Sequence, residues 1–195
     1  MNRLEKQINF IMEVDKLKNI IRQTYLVDGS RKEGDAEHSW HLALMCAVLS
    51  EYANEKIDVL KTMTMVLIHD IVEIDAGDTY AYDEKAHDSK RQREMAAADR
   101  IFNLLPSDQA KKMRDLWEEF EEGATPEAKF AITLDKMQPV LLNSGSDGKS
   151  WREHQVKLSQ ILQRNEMTHE GSDVLWEYEK KLIDKNVGKG NIIDA

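Results

Sequence analysis

The chain has 195 residues, with 27 Lys and Arg against 36 Asp and Glu, a formal charge of −9. That length suits one soluble domain with a sizeable core, and the single cysteine, Cys46, excludes an internal disulfide and points to a reducing compartment, so a cytoplasmic location is expected. No apolar run approaches the roughly 18 residues of a membrane span, residues 1–6 read as a charged helix rather than a leader, and a pI near 5.2 without a basic block argues against nucleic-acid binding.

Three prolines and nine glycines leave few forced breaks, and the stretches between them are rich in Ala, Leu, Met, Glu and Lys. The expected fold is therefore all-α: one globular domain over residues 1–187, of about seven to eight helices, followed by a loose tail over 188–195 that lacks periodicity. Leu4, Ile8, Ile11 and Met12 recur at helical spacing and predict a first helix over residues 2–22. Asp28-Gly29-Ser30 and Gly34-Asp35 then carry turn chemistry, so residues 23–37 read as a loop.

Two apolar helices follow, over 38–53 and 58–74; the second is apolar on most faces and belongs in the middle of the fold. Gly77 ends it, and residues 79–88 form a polar, tyrosine-containing connection to a charged helix over 89–105. Pro106-Ser107 restarts a helix through Glu122. Thr125-Pro126-Glu127 places an N-cap, a first-position proline and an early acid in the preferred order for the next one. Residues 151–164 and 172–187 close the chain as two helices.

His69-Asp70 in Leu67-Ile68-His69-Asp70-Ile71-Val72-Glu73 puts an imidazole and a carboxylate on a largely apolar helix, where neither is tolerated without partners. They point about 100° apart, and Glu73 lies one turn beyond His69, so all three border one site. A plain buried His–Asp hydrogen bond would satisfy the pair alone. His38, opening the preceding helix, and Asp135, among the apolar residues of a later one, extend it to two imidazoles and two carboxylates from three helices. That donor set suits one divalent transition metal with positions left for water and substrate. Pro139 lacks the amide that would bond the Asp135 carbonyl, so the helix is expected to loosen there.

The order His38, His69-Asp70, Asp135 resembles the HD-domain metal-dependent phosphohydrolases. Glu37-His38-Ser39 with the run from His69 to Asp78, of the form H-D-x-x-E-x-x-x-G-D, is similar to their 5′-deoxynucleotidase-like branch. The resemblance implies that His38, His69, Asp70 and Asp135 hold one divalent cation, among Mn, Co, Fe, Ni, Zn or Mg, with Glu73 and Asp78 as the acid–base pair. It implies Arg22, late in the first helix, as a phosphate clamp. Lys90 is a further candidate substrate-binding cation, weaker together with Arg31 and Lys32, because charged residues in loops and on polar helix faces are mostly solvated. The implied reaction is hydrolysis of nucleoside, above all deoxynucleoside, 5′-monophosphates to nucleoside and phosphate by a homodimer, its interface supplied by the Trp-bearing closing helices.

The shared metal set leaves two rivals: hydrolysis of another nucleotide bond, in an alarmone pyrophosphate or a cyclic phosphodiester, and a noncatalytic helical module that binds metal or nucleotide. His41 reads as a supporting or ordinary polar residue, and His87, His154 and His169 as surface histidines. Cys46 reads as a small buried hydrophobe, and Trp117, Phe120, Trp151 and Trp176 as packing or interface residues.

Overall fold

The computed structural model describes residues 1–78 and 90–195. The expected connection over 79–88, with His87, lies outside the described residues. The domain is all-α apart from one small hairpin: eight helices of eight residues or more among the described residues, and three of four or five. No helix among these residues is long and apolar enough to cross a membrane.

α1 (Arg3–Val14) starts at a reciprocal cap, Asn2 Oδ1 accepting from the Glu5 amide at 2.9 Å while the Asn2 amide donates to Glu5 Oε2 at 2.7 Å. It ends eight residues before the expected limit. A 3₁₀ turn (Asp15–Asn19) leads into β1 (Ile21–Tyr25), which pairs antiparallel with β2 (Lys32–Gly34). The run Ile20-Ile21-Arg22-Gln23-Thr24-Tyr25 is rich in β-branched and aromatic residues, so its isoleucines extend the helical count without helical preference. Arg22 therefore sits on a strand, and the presumed loop is a hairpin.

α2 (Asp35–Leu49) begins three residues before His38, and α3 (Val59–Ile68) is capped by Asp58 Oδ1 accepting from the Lys61 amide at 3.0 Å. The second apolar helix is not continuous: a 3₁₀ turn (His69–Val72) separates α3 from α4 (Glu73–Ala76), and Gly77, at φ +76°, stops it. α5 (Lys90–Phe102) and α6 (Ser107–Glu122) follow. α7 (Pro126–Gly145) opens on the expected cap, Thr125 Oγ1 accepting from the Ala128 amide at 3.2 Å. It remains helical through Pro139, and it packs against α2, α3, α6, α10 and α11.

The helix expected over 151–164 divides into α8 (Lys149–Glu153) and α9 (Leu158–Asn165), with Gln155 between them at φ +51°. α10 (Thr168–Gly171) and α11 (Asp173–Gly188) complete the chain. One core gathers Leu42, Cys46, Met65, Ile101, Trp117 and Phe130; a second, smaller one gathers Val140, Trp151, Val156, Ile161, Ile183 and Ile192.

Two expectations fail here. Residues 188–195 are seated, not loose: Ile192 is buried in the second core, the Leu158 amide donates to the Ile193 carbonyl at 2.8 Å, and the Ile193 amide to that of Val156 at 3.0 Å. Backbone bonding needs no side-chain periodicity, which is why pattern reading misses it. Trp151 is buried and Trp176 half-buried beneath Lys180, so the closing helices present no exposed tryptophan; Trp40 on α2, 63% exposed, does. Cys46 is fully buried, and burial pushes its thiol up to about 11, as an inert core residue requires.

Gly171 lets α10 lie directly on α7: a Cβ there would fall well inside 3.0 Å of the Lys129 carbonyl and Thr133 Oγ1. Gly171→Ala should destabilise the fold by about 1–3 kcal/mol through overpacking, lowering the melting temperature by roughly 3–10 °C in a thermal scan. An unchanged melting temperature would refute the close approach.

Glu179 on α11 is fully buried, and burial pushes its carboxyl from 4.5 up to about 8 against the opposing pull of Arg164 and Thr168. The folded state therefore keeps a proton that the unfolded chain loses above pH 4.5. Its contribution to stability should be full below that pH and be lost as pH rises toward about 8, by roughly 5 kcal/mol. Glu179→Gln should flatten this decline, read from denaturant midpoints between pH 5 and pH 8; an identical slope in both proteins would exclude Glu179 as its source.

Candidate metal centre

Four side chains from three elements meet at one point. His38 is on the first turn of α2, His69 and Asp70 are on the 3₁₀ turn after α3, and Asp135 is midway along α7. His38 Nε2 lies 3.1 Å from Asp135 Oδ1 and 3.9 Å from Asp70 Oδ2; His69 Nε2 lies 3.1 Å from Asp70 Oδ2 and 3.7 Å from Asp135 Oδ1. The apolar face of α3 drives the whole turn inward, and all four of its residues are buried. Trp117 Nε1 donates to the His69 carbonyl at 3.2 Å, and Phe120 packs on the imidazole with ring centroids 5.0 Å apart.

The ring nitrogens are already assigned their tasks. His69 Nδ1 is 2.8 Å from the Val66 carbonyl, which can only accept, so Nδ1 carries the proton and Nε2 faces the cluster. That Nε2 is buried without a hydrogen-bond partner. An orphaned imidazole nitrogen beside a second imidazole and two carboxylate oxygens is a donor set that fits a divalent cation.

The electrostatics are those of charges gathered for a cation. Burial raises Asp70 and Asp135, but His69 and Arg22 hold the first, and Lys136 with the two histidines the second, well below the usual carboxylate range. Burial lowers both histidines. His38, facing the Arg22 charge, stays near 4, whereas Asp70 and Asp135 return His69 to about 10.

A second group of acids adjoins the first: Asp35, Asp70 and Glu73 place carboxylate oxygens within 4.8 Å of one another. Burial, then Asp70 and Asp35, push Glu73 up to about 12, and Asp35 is pushed to about 6 by burial and Asp70. Asp35 beside it favours the protonated form of Glu73, since two buried carboxylates so close together disfavour each other's ionisation. Arg22 Nη1 donates to Asp70 Oδ2 at 2.8 Å and Asp35 Oδ1 at 3.1 Å, so it neutralises this acid group from β1.

The remaining expected residues lie around this centre. Asp78 is half-buried, and burial raises its carboxyl. Lys90 Nζ is 3.4 Å from Glu94 Oε1 and within electrostatic reach of Glu73 and Asp70. Arg31 is engaged elsewhere, in an exposed bidentate pair with Glu37 at 2.5 and 2.7 Å, and Lys32 bonds Gln23. His154 and His169 lie at the surface.

Sequence reasoning missed Asp35, Glu33 and Gln138. Asp35 had a readable signal: it heads the buried stripe Asp35, His38, Ser39, Leu42 of α2, at helical spacing behind His38. Glu33 and Gln138 had none, because their contact joins β2 to α7. Gln138 Nε2 donates to Glu33 Oε1 at 2.6 Å and faces His41 Nδ1 at 3.2 Å, so His41 is a polar neighbour of this pair and not a member of the four-residue cluster.

The fold and this centre define an all-α protein with a mixed imidazole–carboxylate site of the kind that takes a divalent cation. A family model described as HD domain matches residues 14–176, and the chain belongs to that family.

Among curated relatives, human 5′-deoxynucleotidase HDDC2 is 30% identical over 135 residues, 69% of this chain and 65% of that protein. The Dictyostelium discoideum protein of the same name is 30% identical over 144 residues, 71% of this chain and 76% of its own. The match with the human relative thus spans just under two thirds of its length. A crystal structure from Magnetospirillum magnetotacticum MS-1, called a predicted metal-dependent phosphohydrolase, is 46% identical and superposes with a TM-score of 0.94 over 98% of this chain and 96% of that one.

Proposed function

We propose that the chain hydrolyses nucleoside 5′-monophosphates, deoxynucleotides above all, to nucleoside and phosphate, using one divalent cation held by His38, His69, Asp70 and Asp135. The observation that carries this reading is the convergence of those four donor atoms beside a second group of buried carboxyls that includes Glu73 and Asp35. The names of the HDDC2 relatives support the substrate class. A divalent cation at such a centre lowers the pKa of water, polarises a phosphoryl oxygen and offsets the substrate's charge.

The chain's own residues divide the remaining work. Val66 and Phe120 hold His69 with Nε2 toward the cluster. Glu73, protonated in the cation-free chain, orients the attacking water, and would take its proton only once ionised beside a bound cation. Asp78, whose burial favours the protonated form, gives a proton to the leaving nucleoside oxygen or binds the sugar. Arg22 offsets the charge of Asp35 and Asp70 and, with Lys90, forms the cationic border for the phosphoryl group.

A homodimer in the cytoplasm remains part of the proposal. α2 offers an exposed apolar row for a second copy, Trp40, Leu44 and Val48, spaced by four residues.

The test is phosphate release from dAMP, dGMP, dCMP and dUMP, beside cyclic nucleotides and alarmones, with Mn²⁺ or Co²⁺ and after chelation. Phosphate from the 5′-monophosphates alone, lost on chelation, is the expected result. Pyrophosphate release from an alarmone would favour the first rival, and a melting-temperature rise without turnover would favour the second.

A further inference from the structure

Glu33 is a buried carboxylate with no ion pair to Lys or Arg within 4.0 Å among the described residues. Such a group is costly unless hydrogen bonds or a nearby cation compensate it. One oxygen, Oε1, accepts from Gln138 at 2.6 Å; the other, Oε2, is buried without a hydrogen-bond partner. Across from it is another orphan, His38 Nδ1, also buried and without a hydrogen-bond partner, at 3.7 Å. On its far side the same imidazole turns Nε2 to Asp135 and Asp70.

A neutral imidazole has one N–H and one lone pair. If Nε2 offers its lone pair to a cation, Nδ1 holds the proton, and Glu33 Oε2 is the acceptor facing it. His69 meets the same requirement with a neutral partner, the Val66 carbonyl. The two imidazoles are therefore supported unequally, one by a peptide dipole and one by a carboxylate.

We propose that Glu33 is a positioning residue of the metal centre: it fixes His38 with Nδ1 protonated, strengthens Nε2 as a donor, and closes on Nδ1 when a divalent cation binds. The inference rests on reading the four-residue cluster as a cation site. Gln138 completes the device. It is one helical turn beyond Asp135 on α7, so by holding Glu33 it couples the orientation of one ligand, His38, to the helix that carries another. Carboxylates in this position typically change metal affinity by roughly 10–100-fold when removed.

The experiment is isothermal titration of the full chain with Mn²⁺ alone, without nucleotide, alongside melting of the cation-free proteins. Glu33→Gln should weaken Mn²⁺ binding about tenfold or more while leaving the cation-free melting temperature unchanged or higher, because an amide of the same size replaces the buried carboxyl. Nitrogen NMR of the His38 ring should show the Nδ1-protonated form losing its dominance in that variant. Gln138→Met, which keeps Glu33 but removes its donor, should weaken binding severalfold and serves if Glu33→Gln does not fold.

Unaltered Mn²⁺ affinity in these variants, or a fall in cation-free stability with affinity retained, would overturn the proposal. A wild-type chain that binds no Mn²⁺ would overturn it together with the metal centre. Failure of every nucleotide as substrate, with the affinity difference intact, would remove the nucleotidase reading and leave Glu33 in its role.

Discussion

His69→Ala should leave a folded protein that neither retains a divalent cation nor releases phosphate. His69 reaches Asp70 and Asp135 with one nitrogen and is locked to the Val66 carbonyl by the other, so its donor atom is aimed before any cation arrives. Alanine removes one of four donors and leaves Asp70 with Arg22 as its main compensation. Bound metal, measured by elemental analysis after passage over a desalting column, should fall from about one equivalent to background. Turnover of the best nucleotide should drop by about a thousandfold or more, the range associated with losing a principal source of charge stabilisation. Full metal content and wild-type turnover in this variant would remove the centre from the reaction.

Glu73→Gln should separate binding from chemistry. The side chain is buried and holds a proton in the cation-free chain, so glutamine copies its size and its neutral state, and the melting temperature of that form should not fall. Metal content should stay near wild type. Turnover should decline by about 10²–10⁴-fold, the usual contribution of a positioned acid–base group. If the variant lost its metal instead, Glu73 would belong to the ligand set; if it kept both metal and turnover, the role assigned to it would be wrong.

The cluster was legible in the pattern of residues because three of its members broke a local rule. His69 and Asp70 interrupt an apolar helix, and Asp135 stands among buried neighbours in α7, so polarity in the wrong place marked them before any geometry was known. The helices were legible for the same reason, since α2, α3, α6 and α7 each carry an apolar face or a recognisable cap. Arg22 was placed on the wrong element because isoleucines at 20 and 21 continue an apolar rhythm while favouring extended backbone. Glu33 and Gln138 left no trace, being 105 positions apart and meeting through a single side-chain hydrogen bond from α7 to β2.

Because α7 contributes Asp135 to the cation cluster and, five residues on, Val140 to the second core, the two halves of the molecule share a spine. A cation that tethers Asp135 to His38 and His69 raises the free energy of any fluctuation that unwinds that spine, and so shields amides as distant as those around Ile183 from solvent exchange. Reciprocity follows from linkage: a lesion at Ile192 that populates forms with this spine unwound would raise the ion concentration needed for half-saturation, although it touches none of the four clustered residues.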